Sequence, residues 1–347
     1  MKIPEIKLTM LGATGSGKTT LMHGMYAMLA SGVHGYHLFT QDPDDHLDLM
    51  EAWGTLLQHG ELPPPTPEKP TSYEMVFNYG LEALLHLDFV DFRGGAGTES
   101  GRKAGAHEDI GMLRARLAES NSIYLVLDGR HVGDWVKNGC PPMQAVGPMS
   151  IAVIGRAILD LFQRSRDEGR PRPSLVVIIT KSDVLAETSG LSRQDAMRMM
   201  IKNMRDLVPF AYYDGVTAMI CPVQLGEFGL DAGTAVDRSK VKPIFVHKPL
   251  IFSLMHYLTE QIAFDQQNLE GLRAGQAQAR KELEELNTGF RRHFRGDRIR
   301  RKSGEIDFAD DEISGLRKDL GTAQQRAAQL MGELDRLPII RDGEEVK

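Results

Sequence analysis

Cysteine is nearly missing from this chain: Cys140 and Cys221 are the two among 347 residues. That excludes a small scaffold held by disulfides, and no Cys/His spacing of a metal finger is visible. Long apolar runs are missing as well, since none approaches the roughly 20 residues that a bilayer-spanning helix needs. Surplus positive charge is absent, with 41 Lys and Arg against 47 Asp and Glu, a net of −6. No chain-wide attraction to nucleic acid or anionic lipid is therefore expected. The chain runs directly into an apolar segment, which leaves no room for a signal peptide, and a reducing, cytoplasmic setting is expected. What is present is ordinary globular composition, 41% hydrophobic and 25% charged, at a length suited to one large domain or two smaller ones.

The most informative segment is Gly12-Ala13-Thr14-Gly15-Ser16-Gly17-Lys18-Thr19. It follows the apolar run Ile6–Leu11 and opens a stretch, Thr20–Ala30, with helical apolar spacing. This is the G-x4-G-K-[ST] pattern. Its glycines let consecutive backbone N–H groups turn toward one anion at a helix N-terminus. Gly12, Gly15, Ser16, Gly17, Lys18, Thr19 and Thr20 are the candidate phosphate-binding residues. Lys18 would reach the terminal phosphates, and the Thr19 hydroxyl would ligate Mg2+. A second motif, Asp91-Phe92-Arg93-Gly94-Gly95, ends the apolar segment Leu84–Val90. Asp91 there can hold Mg2+, and Gly94 lets the backbone approach a terminal phosphate and swing away when it leaves. A third, Thr180-Lys181-Ser182-Asp183, directly follows Leu175–Ile179. A carboxylate at Asp183 can accept both N1–H and N2–H2 of guanine, a donor pair that adenine lacks, with the Lys181 stem across the base.

Apolar runs mark strands at Tyr73–Tyr79, Leu84–Val90, Ser122–Leu127, Leu175–Thr180 and Val216–Ile220. Helical stretches are read at Glu108–Glu119, Ile151–Arg166 and Arg193–Leu207. Only Gly80–Ala83 separates Tyr73–Tyr79 from Leu84–Val90, so that pair should be antiparallel. The remaining alternation predicts an α/β fold with a mostly parallel sheet covered on both faces and ligands beyond the strands' carboxyl ends. Gly54–Ser72 and Gly129–Pro148 read as long irregular segments, and Asp128 as a turn residue.

GATGSGKT, DFRGG and TKSD, in this order, resemble the phosphate, Mg2+ and guanine motifs of the Ras-like (TRAFAC-class) P-loop GTPases, over about residues 1–258. The resemblance implies a Ras-like three-layer sandwich, GTP/GDP and Mg2+ as ligands, and GTP hydrolysis. Thr180 stands where Asn is usual. The wording Trp53…Gly60-Glu61-Leu62-Pro63-Pro64-Pro65-Thr66 before the Asp-x-x-Gly-Gly motif looks most like bacterial GTPases of the double-GTPase type, which belong to multi-gene conflict or GTPase-associated systems. The resemblance makes Thr66 the candidate switch threonine, sensing Mg2+ and the terminal phosphate, with Thr71 and Thr55 as rivals. It puts Cys221–Gly226 at the base-contacting loop, with Pro222 and Val223 as contacts, although the familiar Ser-Ala pair is absent. Gly95 occupies the place of the glutamine that often orients the attacking water. Slow intrinsic turnover follows, with Lys18, Thr66, Gly94 and Gly95 as the candidate catalytic positions.

From about Pro249 strand signals cease. Ile262, Leu269, Leu272, Ala279, Leu283, Leu286 and Phe290 follow seam spacing, as do Ile306, Ala309, Ile313, Leu316, Leu320, Ala323, Ala327, Leu330, Leu334 and Leu337. An antiparallel coiled-coil hairpin over 259–340 is expected, with a tail at 341–347; pairing in trans, as a homo-oligomer, stays open. Its tip, 291–302, carries seven Lys or Arg and one acid. Anionic membrane, nucleic acid and an acidic protein all remain candidate partners there. The whole reads as a GTP switch with a helical output arm; the rivals are a nucleotide-dependent assembly or dynamin-like protein and a P-loop ATPase or kinase.

Overall fold

Strand formation follows burial. The run Ile6–Leu11 lies within β1 (Glu5–Gly12), flanked by parallel neighbours β4 (Glu82–Asp91) and β5 (Ser122–Asp128). In β5 and β6 (Ser174–Thr180) every residue is buried. This is why both read as unbroken apolar runs rather than alternating ones. The computed structural model describes residues 3–63, 71–91, 106–138, 147, 149–230, 235–287 and 296–346. It divides into two units, one of Lys2–Ser253 with Leu334–Lys347, the other of Leu254–Glu333.

The first unit is α/β. Among the described residues its sheet has nine strands, in the order β11 (Glu344–Val346), β10 (Ile339–Arg341), β7 (Thr217–Pro222), β6, β5, β1, β4, β3 (Thr71–Tyr79) and β2 (Tyr36–Thr40). β8 (Gln224–Gly226) pairs separately with β9 (Val241–Ile244). The five strands from β7 (Thr217–Pro222) to β4 are parallel. β3 (Thr71–Tyr79) pairs antiparallel with β4, as the short spacing required, and β2 (Tyr36–Thr40) pairs antiparallel with β3. Ile123, Leu125, Leu127, Val177 and Ile179 share one core with α3 (Ala106–Glu119), α4 (Gly129–Asn138), α5 (Ile151–Asp167), α6 (Leu185–Ser189) and α7 (Arg193–Leu207). The alternate residues Tyr124 and Ile178 face Leu21, Met22 and Met25 of α1 (Lys18–Ser31). Each fully buried Leu or Ile contributes about 1.5–3 kcal/mol, so this two-sided burial fixes the strand ends that carry the motifs.

Several segments differ from the expectations. Gly54–His59 is not irregular: it belongs to α2 (Pro43–His59), which starts on an Asp42 side chain accepting from Asp44 N–H and ends at Gly60 with φ 74°. Gly129–Asn138 is helix α4, not a long loop. A Cβ at Gly133 would stand 2.8 Å from Thr188 Cβ, so this glycine serves close helix approach, not chain reversal. Strand structure also does not end at Pro249. β10 (Ile339–Arg341) pairs antiparallel with β7, and β11 (Glu344–Val346) with β10. Leu334 and Leu337, read as continuing a helical seam, lie beyond the last helix, and the presumed tail 341–347 supplies strand residues.

The second unit is a helical hairpin. It contains most of α8 (Lys248–Asn287) and all of α9 (Gly296–Glu333). Gln276 and Arg280 reach Asp310, and Lys302 reaches Glu282 at 3.0 Å. Partners rise along one helix as they fall along the other, which makes the pair antiparallel. Ile306, Ile313, Ala323 and Leu330 are the buried residues of α9, the stripe that the seam spacing marked. Among the described residues no helix is long and apolar enough to cross a membrane.

Candidate functional site

The phosphate motif occupies the turn from β1 into α1. Gly17, at the helix N-cap, has φ 84°, a backbone that side chains rarely adopt, and Gly15 has φ 77°. A Cβ at Gly12 would stand 2.5 Å from Val126 O, so the loop must begin on glycine to lie against β5. Lys18 is buried, and its Nζ donates to Gly12 O and Ala13 O, both at 3.1 Å. Burial pushes its ammonium below the usual range, and the Asp91 carboxylate pulls the other way. The Ser16 hydroxyl is buried and has no hydrogen-bond partner among the described residues.

The second motif enters from β4. Asp91 ends that strand opposite Met10 of β1, and Thr19 Oγ1 donates to Asp91 Oδ2 at 3.1 Å. Two residues far apart in sequence thus present oxygens to one point beside Lys18. Hard oxygen donors at a phosphate cradle fit a divalent cation of the Mg2+ kind. Thr66, Gly94 and Gly95 lie outside the described residues. Of the rival threonines, Thr55 gives its hydroxyl to Glu51 O within α2, and Thr71 opens β3 directly opposite Asp91.

The third motif ties the first to itself. Thr180 Oγ1 lies 2.6 Å from Ser16 O and 3.1 Å from Leu127 O, so the residue in the usual Asn place spans the phosphate loop and β5. Lys181, at φ 51°, donates to Gly15 O at 2.9 Å and to Asp128 Oδ2 at 2.5 Å. Asp183 Oδ2 accepts from Phe228 N–H at 3.0 Å and Gly229 N–H at 3.4 Å. These residues line an open cleft of about 210 Å3 that continues past Gly17 and Thr20 and is walled by Val223, Gln224 and Leu225. Pro222 closes β7 behind it.

Asp128 is not a passive turn residue. It is 4% exposed and accepts from Lys181 and from the Arg130 backbone and guanidinium. Burial opposes its charge, but the hydrogen bonds from Arg130 and Lys181 outweigh burial and hold its carboxyl below the usual range. It therefore fixes the lysine that would cover the base. The sequence signal for this role was its position at the end of β5, beside the β6 end that carries Lys181 (Asp128 pairs with Thr180 in register). Gly129 is equally constrained: a Cβ there would stand 2.5 Å from Thr180 O.

Three segments distant in sequence therefore meet at the carboxyl edge of β1, β4 and β6. The family model Double-GTPase 2 matches residues 6–215, which contain all three. The chain belongs to the Double-GTPase 2 family. It is accordingly a GTP-binding P-loop protein of the GTP-hydrolysing kind. No curated protein matches the chain.

Proposed function

We propose that this Double-GTPase 2 chain is a GTP-operated switch that hydrolyses GTP slowly and signals through its helical hairpin to a protein partner. The observation that supports this best is that Lys18, the Thr19–Asp91 pair and the Thr180–Lys181–Asp183 segment meet at one edge of the sheet, where Thr180, Lys181 and Asp183 line a cleft that runs past Gly17 and Thr20. In this reading the backbone amides around Gly15–Lys18 hold the β-phosphate, and Lys18 neutralises charge as the bond to the terminal phosphate breaks. Thr19 and Asp91 would hold Mg2+, with Thr66 completing the set. The ion would neutralise phosphate charge. Asp183 would select guanine, and Thr180 would keep base and phosphate ends in register. Gly95 offers no side chain to orient water, so turnover stays slow until a partner supplies a group.

Output through the hairpin is supported by the continuity of α8, one helix from Lys248 to Asn287. The described part of the basic tip carries its own acids. Arg300 faces Asp297, Arg301 faces Glu305, and Lys302 contacts both Glu282 and Glu305. That internal pairing favours a protein partner over anionic membrane or nucleic acid. Residues 291–295 of the tip lie outside the described residues.

The test is identification of the nucleotide carried by the purified full chain, by chromatography and mass spectrometry, followed by turnover with GTP and ATP. Guanine nucleotide and slow, Mg2+-dependent phosphate release are expected. Equal competition by ATP would return the chain to the ATPase or kinase reading.

A further inference from the structure

We propose that α9 pairs with α9 of a second copy of this chain, antiparallel and crossing at Gly304. The proposal rests on the reading of the hairpin as an output arm and names its partner. The buried seam of α9 is Ile306, Ile313, Ala323 and Leu330. On the opposite side runs a ridge of Asp297, Arg301, Gly304, Phe308, Asp311 and Gly315, all exposed. Steps of four and three keep these residues on one line along the helix. Phe308 is 70% exposed on that line, a large ring with no place in the hairpin's own seam.

Two properties of the ridge select the occupant. The sign of charge inverts at Gly304: residues 298–302 carry four Lys or Arg, and residues 305–312 carry five Asp or Glu. A surface with that inversion is complementary to itself when turned end for end, so the same helix of another copy matches it. The second property is the glycine. Glycine inside a helix is unfavourable, and a Cβ at Gly304 would meet nothing within 4 Å among the described residues. Packing within the chain gives no reason for it. A second helix crossing there does, because the two backbones approach most closely at that point.

A two-fold axis at Gly304 sets each flank of the ridge against the same flank of the second copy. On one flank Arg301 then lies against Phe308 of the second copy, guanidinium over ring. On the other flank Arg300 meets Asp307 and Asp311 of the second copy. The symmetry makes each contact twice. Both arginines can make the exchange. Arg300 is 85% exposed with Asp297 at 3.7 Å, and Arg301 is 76% exposed with Glu305 at 3.7 Å. Exposed pairs of this kind hold weakly. The overlap from Gly296 to Glu312 is about 25 Å long. That is a small interface, so the association is weak and salt-sensitive.

The experiment is sedimentation equilibrium of the full chain, from about 1 to about 500 µM in low salt. A monomer–dimer equilibrium with a constant on the order of 10 µM is expected, weakening about tenfold in high salt. Gly304→Leu favours the helix itself, so it should leave thermal stability intact while weakening the dimer at least about tenfold. Arg300→Asp and Asp307→Arg should each weaken it about tenfold, and the double variant should recover most of that loss. The two positions are about 10 Å apart along one helix, so recovery reports pairing between copies and not within one. A chain monomeric over the whole range would overturn the proposal and leave the ridge to a different protein. A dimer unchanged by Gly304→Leu, or a double variant that recovers nothing, would also overturn it. A dimer equally strong with guanosine diphosphate and with a non-hydrolysable GTP analogue would leave the contact standing and bring down the nucleotide-controlled output instead.

Discussion

The phosphate end and the base end of the cleft are built on opposite plans. The phosphate end is nearly contiguous: Gly12 to Thr19 turn on themselves, and one distant residue, Asp91, joins them. The base end is assembled from four places, with Asp128 on β5, Thr180–Asp183 after β6, Val223–Leu225 after β7, and the backbone at Phe228–Gly229. A contiguous loop carries its geometry in its own residue types, above all glycine at positive φ. An assembled site has no such local signature, because each contributor is ordinary until the sheet brings it beside the others. Thr180 is the joint between the two plans, reaching Ser16 on one side and Leu127 on the other.

If the two ends are separable, variants should split binding into shared and base-specific parts. Lys18→Ala should have the largest effect. Affinity for GTP should fall about a hundredfold, and any residual ATP binding should fall by the same factor, because the phosphates are common to both. Asp183→Ala should cost about thirtyfold for GTP and leave ATP unaffected, so that guanine preference disappears. A parallel loss for ATP would mean that the base end is not independent of the phosphate end.

His23 sharpens the comparison from behind the phosphate loop. It is buried on α1, and burial pulls its pKa down to about 4 from 6.5. The unfolded chain therefore binds this proton more readily than the folded one. The group's stabilisation is full above pH 6.5 and is lost as pH falls toward 4. Denaturant melts of the wild type should lose about 2 kcal/mol from this source between pH 7.5 and 5. His23→Leu should show a flatter pH profile over that window. Thr180→Val should have the smallest effect, about 1 kcal/mol of stability, with a modest loss of both GTP and ATP affinity. Measured melting and titration together would show whether the joint serves fold or ligand.

Much of this was legible in the chain. The six strands read from apolar runs are all present, with ends shifted by one or two residues. The antiparallel β3–β4 pair followed from the four residues between the runs. The misreadings have separate causes. Gly129–Asn138 reads as irregular, yet its Gly129 and Gly133 are glycine because another backbone or side chain passes close to each. α2 carried its own signals in the Asp42–Pro43 start and in Leu49, Trp53 and Leu56, spaced on one face. β10 is three residues long, too short for any periodicity to reveal, and becomes a strand because β7 offers it an unpaired edge.

By itself the order of residues settled what local physics can encode: a glycine-bracketed anion loop, apolar runs that must be buried, and a stripe that pairs two long helices. Folding alone decided which distant side chains became neighbours. Asp128 met Lys181 and Thr180 met Ser16, because parallel strands of one sheet end at the same edge. Hydrogen-bond partners more than fifty residues apart leave no mark on sequence spacing, and only the packed sheet fixes the distance between them.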